Sequence, residues 1–320
     1  MRIFISDCKL INIEINMIKK LFVCMITYAL LIILFSGCID NNLDVDYKTI
    51  QESIDHANDR DTIYIQSGTY YETLVINKSI NLIGEDKNKT IIDCKNSLEA
   101  NHIDVILINA DNCTIKGFKV TNTNVSSDVI GIQINSSNNT ISNNIISRVN
   151  KGMYFSSHSK NNNVYENNIS NNQEGLDLTF SHDNNISKNN ITLNSMCGIG
   201  IHSLSQSNMF FSNIISDNKY GAHLNSGMEN KFFKNDFISN KRGIYICCGA
   251  RYNIVYNNLF KKNSECNARD VTDNQWNVGS IGNYWDDYAG VDKNDDGKGD
   301  MPYNIAGGNN QDMYPKINPP

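Results

Sequence analysis

Short stretches that alternate apolar and polar residues recur along the middle of this chain, and each one follows a glycine. The glycines are spaced by 21 to 23 residues. A period-2 pattern over so few residues is typical of short β-strands, and a fixed period of about 22 residues indicates a repeat architecture. The six segments are GIQI at 131, GMYF at 152, GLDL at 175, GIGI at 198, GAHL at 221 and GIYI at 243.

A second series with nearly the same period consists of asparagines that each stand two residues before an apolar residue. A unit this short cannot bury an apolar face by itself, but stacked coils can, with each strand paired to its counterpart one turn later, about 4.8 Å away. We therefore predict an all-β fold, a right-handed parallel β-helix. The series comprises Asn143, Asn167, Asn189, Asn213, Asn235 and Asn257, followed by Ile145, Ile169, Ile191, Ile215, Phe237 and Leu259.

The composition agrees with this fold. The chain contains 52 asparagines among its 320 residues. Asparagine tolerates the left-handed backbone of tight turns, and stacked asparagine side chains can hydrogen-bond from one coil to the next. We therefore expect most of the asparagine to be structural. The net charge is −6 and no basic stretch is interleaved with aromatic residues, so we do not expect a nucleic-acid partner.

The start of the repeat region has a different pattern. Residues 47–59 show helical apolar spacing at Ile50, Ile54 and Ala57, which predicts a short helix that covers the first coil. Residues 61–94 then have the pattern of the first strands. This opening resembles that of pectin methylesterases and pectate-lyase-like proteins, a resemblance that implies the fold and not an activity.

The N-terminus has the layout of an export signal. Two lysines precede an apolar run from Leu21 to Phe35, and Ser36, Gly37 and Cys38 follow. The run is shorter than the ~20 residues of a membrane-spanning helix. Small residues before a cysteine resemble a lipoprotein processing site, so we expect residues 1–38 to be a signal segment and Cys38 to be lipidated. We also expect translation to start at Met17. The alternative is an uncleaved N-terminal anchor. Residues 39–46 would be a linker.

The C-terminal tail carries the most specific resemblance. The stretches GNYWDDY, DKNDDGKGD, PY and DMYP occur in that order after residue 281. Together with the opening and the repeats, they resemble archaeal cell-surface proteins of the periplasmic copper-binding, NosD-like β-helix family over roughly residues 47–316. We accordingly divide the exported part into a β-helix with its N-terminal cap at 47–265 and an aromatic, Asp-rich cap at 266–320.

The stretch DKNDDGKGD also predicts a structural calcium site. Its oxygens would come from Asp292, Asn294 and Asp296, from the backbone carbonyl of Lys298, and from Asp300. This spacing matches the first part of a calcium loop, but Tyr303 occupies the place of its usual bidentate glutamate. The alternative is a solvated acidic turn.

A candidate ligand site lies on outward strand positions around Gly200. When the repeats are aligned, five polar or aromatic residues surround this glycine: Tyr154, Asp177, His202, His223 and Tyr245. A floor without a side chain, flanked by such groups, could seat a sugar ring or a metal ion. The alternative is ordinary soluble strand surface. A second carboxylate or a Lys or Arg within ~5 Å of Asp177, in a cleft, would favour an enzyme over a binding module, because most glycosidases need two carboxylates.

We therefore expect an exported, membrane-anchored, monomeric surface module that binds carbohydrate or another envelope component. One alternative is a polysaccharide-processing enzyme that uses the β-helix face. The other is a copper-accessory protein, which the family resemblance implies more than the residues do, because Cys247 and Cys248 form the only dense group of soft ligands.

Overall fold

A computed structural model describes residues 49–95, 102–124, 128–157 and 159–319, with one helix and thirty strands among them. Helix α1 (Ile50–His56) begins after Thr49, whose side chain accepts a hydrogen bond from the backbone of Glu52. Ile50 and Ile54 are buried on the apolar end of the first coil. The predicted N-terminal capping helix is therefore confirmed.

Three parallel sheets, A, B and C, run the length of the described solenoid, and each coil adds one strand to each sheet. Sheet A consists of β1 (Thr62–Ile65), β4 (Asn81–Gly84), β7 (Thr114–Lys116), β10 (Thr140–Ser142), β13 (Asn163–Tyr165), β16 (Asn185–Ser187), β19 (Met209–Phe211), β22 (Lys231–Phe233) and β25 (Ile254–Tyr256). Sheet B consists of β2 (Gly68–Tyr70), β5 (Thr90–Asp93), β8 (Lys119–Thr121), β11 (Ile145–Ser147), β14 (Asn168–Ser170), β17 (Asn190–Thr192), β20 (Ile214–Ser216), β23 (Asp236–Ile238), β26 (Leu259–Lys261) and β28 (Tyr284–Trp285).

Sheet C has the longest strands and carries the predicted ligand site. It consists of β3 (Leu74–Ile76), β6 (His102–Ile108), β9 (Asp128–Ile134), β12 (Lys151–Phe155), β15 (Glu174–Thr179), β18 (Cys197–His202), β21 (Tyr220–Asn225), β24 (Arg242–Cys247) and β27 (Cys266–Asp270). A separate antiparallel pair, β29 (Tyr303–Asn304) and β30 (Gln311–Asp312), lies in the C-terminal region. The fold is a right-handed parallel β-helix, as predicted.

Apolar side chains of successive coils stack in columns inside the solenoid. On sheet C, Leu176 pairs with Ile199, which in turn pairs with Ala222, and all three are fully buried. The second residue of β12, β15, β18, β21 and β24 is a glycine whose open side faces the interior. A Cβ atom on Gly175 would lie 2.5 Å from the carbonyl oxygen of Gly198, so a larger residue does not fit.

Three columns of buried asparagines line the three corners of the solenoid. Within a column, the backbone N–H of an asparagine donates to the Oδ1 atom of the asparagine one coil later, and in most cases the side-chain amide does so too. The column between sheets A and B comprises Asn144, Asn167, Asn189, Asn213, Asn235, Asn258 and Asn283. The column between sheets C and A comprises Asn139, Asn162, Asn184, Asn208, Asn230, Asn253 and Asn274. The column between sheets B and C comprises Asn172, Asn194, Asn218, Asn240 and Asn263.

These columns correct two details of the sequence interpretation. At the two ends of the predicted series the buried residues are Asn144 and Asn258, and the residues before them, Asn143 and Asn257, have left-handed backbones with φ of 52° and 57°. The left-handed positions also accept other residues, such as Lys188 with φ of 54°. The buried hydrogen-bonded position therefore requires asparagine more strictly than the left-handed turn does.

The C-terminal region closes the solenoid with aspartates and tryptophans. Asn283, the last member of its column, donates to Asp312, and Asn274 donates to Asp270. Each aspartate also accepts the indole N–H of a buried tryptophan, Trp285 at 2.9 Å and Trp276 at 3.0 Å respectively. The tryptophan rings cover the end of the core. Because β27 and β28 still pair with sheets C and B, the last coil extends past residue 265.

Several predictions concern residues outside the described ranges. They are the signal segment at 1–38, the start at Met17, the lipidation of Cys38 and the linker at 39–46. Among the described residues, no helix has both the length and the apolar character needed to span a membrane.

Candidate functional site

The outward residues of sheet C fall into the predicted register. Asp177 pairs with Gly200, and Gly200 pairs with His223, on three consecutive coils. Tyr154 precedes Asp177 by one coil, and Tyr245 follows His223 by one coil. The structure thus brings the predicted residues onto one face.

Asp177 points outward, yet only 3% of its surface is exposed. Lys151 covers it, with its Nζ atom 2.5 Å from Oδ2 of Asp177 and 4.6 Å from the ring centre of Tyr154. Thr179 donates a hydrogen bond to Oδ1 at 3.2 Å. Burial alone would lower the pKa of Lys151, but the hydrogen bond and charge of Asp177 raise it above its usual value. Asp177 is therefore the anionic half of a shielded ion pair.

Glu174 adds a second carboxylate that the sequence interpretation missed. One carboxylate oxygen each of Glu174 and Asp177 and one ring nitrogen of His202 lie within 4.8 Å of one another. The Oε2 atom of Glu174 is buried and accepts no hydrogen bond. Burial, and after it the charge of Asp177, raises the pKa of Glu174. We call Lys151, Glu174, Asp177 and His202 the carboxylate cluster.

A sequence signal for this cluster exists. Lys151 and Glu174 each stand directly before the glycine that opens their strand, and they pair with each other across adjacent coils. Strict alternation would turn Glu174 inward, together with Leu176. Gly175 itself faces the interior, because a Cβ atom there would meet the buried side chains of Ile191 and Asn194. The alternation therefore breaks at this glycine, and the position before each glycine should have been counted as outward.

We expected open space on the outer side of Gly200, but this space is occupied. The imidazole of His202 lies across it, and a Cβ atom on Gly200 would be 2.8 Å from Nε2 of His202. That nitrogen is 3.9 Å from Oδ1 of Asp177. The missing side chain thus gives room to a histidine ring that points at the carboxylates.

Beside the cluster, Tyr220, His223 and Tyr245 stack on one another with ring centres 5.2 to 5.9 Å apart. The guanidinium of Arg242 lies 5.3 Å from the ring centre of Tyr245 and is bonded to Glu265. Burial lowers the pKa of His223 to about 4, and the neighbouring His202 and Arg242 act in the same direction. We call Tyr220, His223, Tyr245 and Arg242 the aromatic patch.

A groove of about 560 Å³ lies at the corner where sheet B turns into sheet C. It crosses four consecutive coils, and its lining is mostly amide and hydroxyl side chains with one cation and one exposed leucine. The lining includes Arg148, Asn150, Asn171, Gln173, Leu193 and Ser195. Since Asn150 precedes Lys151 and Gln173 precedes Glu174, the groove adjoins the carboxylate cluster. We call it the corner groove.

The predicted calcium loop folds around its first aspartate. The carboxylate of Asp292 accepts hydrogen bonds from the backbone of Asp296 at 3.1 Å and of Gly297 at 2.8 Å. Asp300 accepts the backbone N–H of Lys293, and Lys298 lies 3.6 Å from the Asp296 carboxylate. Calcium binding by Asp292, Asn294, Asp296, Lys298 and Asp300 stays a prediction.

The fold and this face define a parallel β-helix protein with a charged, aromatic surface on its longest sheet. The family model described as periplasmic copper-binding protein (NosD) matches residues 54–246 and 238–290. The chain therefore belongs to the NosD family, as the resemblance implied, and that description places the family outside the cytoplasm. The archaeal origin stays a prediction.

Individual relatives match less of the chain. A probable ABC transporter binding protein NosD from Stutzerimonas stutzeri is 37% identical over 68 residues, which is 21% of this chain and only 16% of that relative. The A-module of the mannuronan C-5 epimerase AlgE6 from Azotobacter vinelandii is 15% identical with a TM-score of 0.54, over 69% of this chain and 73% of the other. Pectate lyase Pel9A is 14% identical with a TM-score of 0.51, over 77% and 76%. Both structural likenesses concern the fold alone.

Copper, which the family description names, would find suitable donors at one place on this face. The Sγ atom of Cys247 lies 3.4 Å from Nε2 of His223 and 2.7 Å from Sγ of Cys248. Thiolate sulfur and imidazole nitrogen are the donors that monovalent copper prefers. Cys247, Cys248 and His223 would therefore hold such an ion, and the bound metal would add a soft Lewis acid to the aromatic patch.

Proposed function

We propose that this protein is an extracytoplasmic module that binds an envelope polysaccharide in the corner groove and along the adjoining aromatic patch. The observation that carries the proposal is the groove itself, which crosses four coils and continues into a face with charged and aromatic side chains. Specific small-ligand sites combine concave apolar surface with a few placed polar groups.

The chemistry of the groove suits a chain of sugars. Amides such as Asn150 and Gln173 can both donate to and accept from hydroxyl groups. Leu193, which is 55% exposed, offers an apolar surface to the C–H face of a sugar ring. Because the coils repeat about every 4.8 Å, similar contacts recur along the groove, and this suits a polymer whose units also repeat.

The test is a glycan array with the purified protein, followed by titration of any glycan bound. Arg148→Ala and Gln173→Ala should each weaken binding at least fivefold without changing the melting temperature by more than about 2 °C, because exposed side chains contribute little stability. Lys188→Ala is the matched control, since Lys188 has a left-handed backbone like that of Arg148 but lies outside the groove, at a corner between sheets A and B. If all three variants bind the glycan as tightly as the wild type does, the corner groove is not the binding site.

A second candidate function is polysaccharide processing at the carboxylate cluster. Glu174 and Lys151 both lie within ~5 Å of Asp177, the distance that favours an enzyme over a module where the group also lies in a cleft. The raised pKa of Glu174 suits a group that holds a proton and donates it, whereas Asp177 remains paired with Lys151. Two carboxylates with unlike environments are the usual arrangement in glycosidases.

Incubation with a panel of polysaccharides, followed by detection of new reducing ends or unsaturated products, tests this second function. Glu174→Gln should abolish any cleavage, while Glu229→Gln, an exposed residue elsewhere on the solenoid, should leave it intact. Polysaccharide that binds without being cut leaves the binding module as the function.

We further infer that the protein is held at the outer face of the membrane by lipid on Cys38. The small residues before this cysteine and the apolar run before them support that inference. Mass spectrometry of the membrane fraction should find a lipidated N-terminal Cys38. An intact peptide that spans Gly37 and Cys38 would exclude it.

A further inference from the structure

We propose that Glu174, Asp177 and His202 form a binding site for a divalent transition-metal ion of the zinc class. Their donor atoms already lie within 4.8 Å of one another on two adjacent coils. Imidazole nitrogen and carboxylate oxygen bind Zn²⁺ at about 2.0–2.2 Å. Small side-chain rotations would therefore bring the three donors to the roughly 3.4 Å mutual spacing of a tetrahedral site.

Charge is the first independent observation that points to a cation. The cluster contains two carboxylates, and Lys151 pairs with only one oxygen of one of them, Oδ2 of Asp177. The Oε2 atom of Glu174 is buried and has no hydrogen-bond partner. A buried carboxylate oxygen without a partner costs folding free energy, and a metal ion at this point would satisfy it.

Gly200 is the second observation. Only a residue without a Cβ atom lets the ring of His202 lie where Nε2 faces the carboxylates, since a Cβ would stand 2.8 Å from that nitrogen. At the corresponding positions of neighbouring coils the chain carries Asp177 and His223. The imidazole of His202, from the same strand, thus occupies the space that a side chain at position 200 would take.

The surroundings resemble the outer shell of a metal site. Thr179 donates to Oδ1 of Asp177, and Lys151 holds Oδ2, so the orientation of this carboxylate is fixed from two sides. Such partners orient the ligands of known metal sites and tune their affinity. Three protein ligands leave a fourth position for water or for an oxygen of a ligand on this face.

The test of this metal site is independent of the proposed polysaccharide function, because it uses metal ions and no glycan. The purified, chelator-treated full chain is titrated with Zn²⁺ and, separately, with Ca²⁺, by calorimetry and thermal shift. We expect saturable binding of one Zn²⁺ by the cluster and no binding of Ca²⁺ there at equal concentration, since a nitrogen ligand favours zinc over calcium.

Variants separate this site from other zinc ligands. Glu174→Gln, His202→Ala and Gly200→Ala should each weaken this binding at least tenfold, the last by displacing the imidazole rather than by removing a ligand. His182→Ala is the matched control, because His182 forms a solvent-exposed pair with Asp183 at 2.8 Å. All these titrations are carried out in a Cys247→Ser, Cys248→Ser background, because the two thiols are themselves zinc ligands.

Metal-free melting curves of the variants check that they fold. Loss of binding in the three cluster variants, with binding retained by His182→Ala, supports the site. Absence of any Zn²⁺ binding overturns it, and so does binding that survives Glu174→Gln and His202→Ala. Glycan binding that fails while Zn²⁺ binds would contradict the proposed function and leave the metal site standing.

Discussion

Asp312 accepts hydrogen bonds from both the backbone N–H of Asn283, at 2.6 Å, and its side-chain amide, at 3.2 Å. Every asparagine in this column donates toward the C-terminus, so the column ends in donors that need an acceptor. A carboxylate is the strongest available acceptor, because charge-assisted hydrogen bonds are stronger than neutral ones. Asp312 therefore accepts from the last donors of the column. Through its hydrogen bond with the indole of Trp285 it also positions the ring that covers the end of the core.

The first prediction concerns this closure. Asp312→Asn keeps the shape of the side chain but replaces one acceptor oxygen with a donor that faces N–H groups. It should lower the free energy of unfolding by about 2–3 kcal/mol, the usual cost of unsatisfied buried donors. Urea unfolding followed by tryptophan fluorescence measures the change. Asp217→Asn, exposed on the solenoid surface, should change it by less than about 0.5 kcal/mol.

The second prediction compares two neighbouring asparagines. Asn189 is buried and donates to Asn213 and to the carbonyl of Val164, whereas Asn190 is exposed. Asn189→Ala keeps the backbone N–H but removes the side-chain amide that donates to Asn213 and Val164, and it removes the Oδ1 atom that accepts from the backbone and the side chain of Asn167. We therefore expect a loss of about 2–4 kcal/mol. Asn190→Ala should cost less than about 0.5 kcal/mol. Similar losses in the two variants, measured by urea unfolding, would contradict the column as the source of stability.

The third prediction is a pH dependence that arises from His223. Its pKa is lowered to about 4 in the folded protein by burial and by the neighbouring His202 and Arg242, whereas an unfolded histidine titrates near ~6.5. Below that value the unfolded chain takes up a proton that the folded chain does not. The stability from the neutral ring is therefore complete above about pH 6.5 and is lost as the pH falls toward about 4.

After a discount for the solvent that reaches this half-buried ring, the loss should be about 1–2 kcal/mol. His223→Phe keeps the stacking with Tyr245 and removes the proton, so its unfolding free energy should fall less over this pH range than that of the wild type. His56→Gln, on the exposed side of α1, serves as the control. Identical pH profiles for His223→Phe and the wild type would show that the ring titrates normally.

The fourth prediction concerns the acidic loop at residues 292–300. The wild type should melt at a higher temperature in Ca²⁺ than in chelator, because an ion that binds only the folded state stabilises it by mass action. Asp292→Ala combined with Asp296→Ala should reduce this difference. The variant should also melt slightly earlier in chelator, since Asp292 holds the backbone of Gly297. Asp295→Asn is the control. A wild-type melt that chelator leaves unchanged would mean that the loop is an acidic turn.

Much of the fold could be predicted from the local sequence pattern, because every coil of the solenoid packs its side chains in the same way. Each coil must bury the same inward positions, so the glycines and apolar pairs recur with a visible period and predict the register of Asp177, Gly200 and His223. The asparagine columns were found but displaced by one residue at Asn143 and Asn257. The left-handed and the buried position are adjacent there, and both hold asparagine.

The sequence by itself therefore determined the β-helix, its capping helix, its period and the face on which Tyr154, Asp177, His202, His223 and Tyr245 lie. Only the tertiary structure decided which of these groups touch. Glu174 lies beside Asp177 because the alternation breaks at Gly175, and the ring of His202 lies across Gly200. The first feature recurs with the glycines of the repeat and could have been counted, whereas the side-chain rotation of His202 toward a neighbouring coil leaves no periodic trace in the sequence.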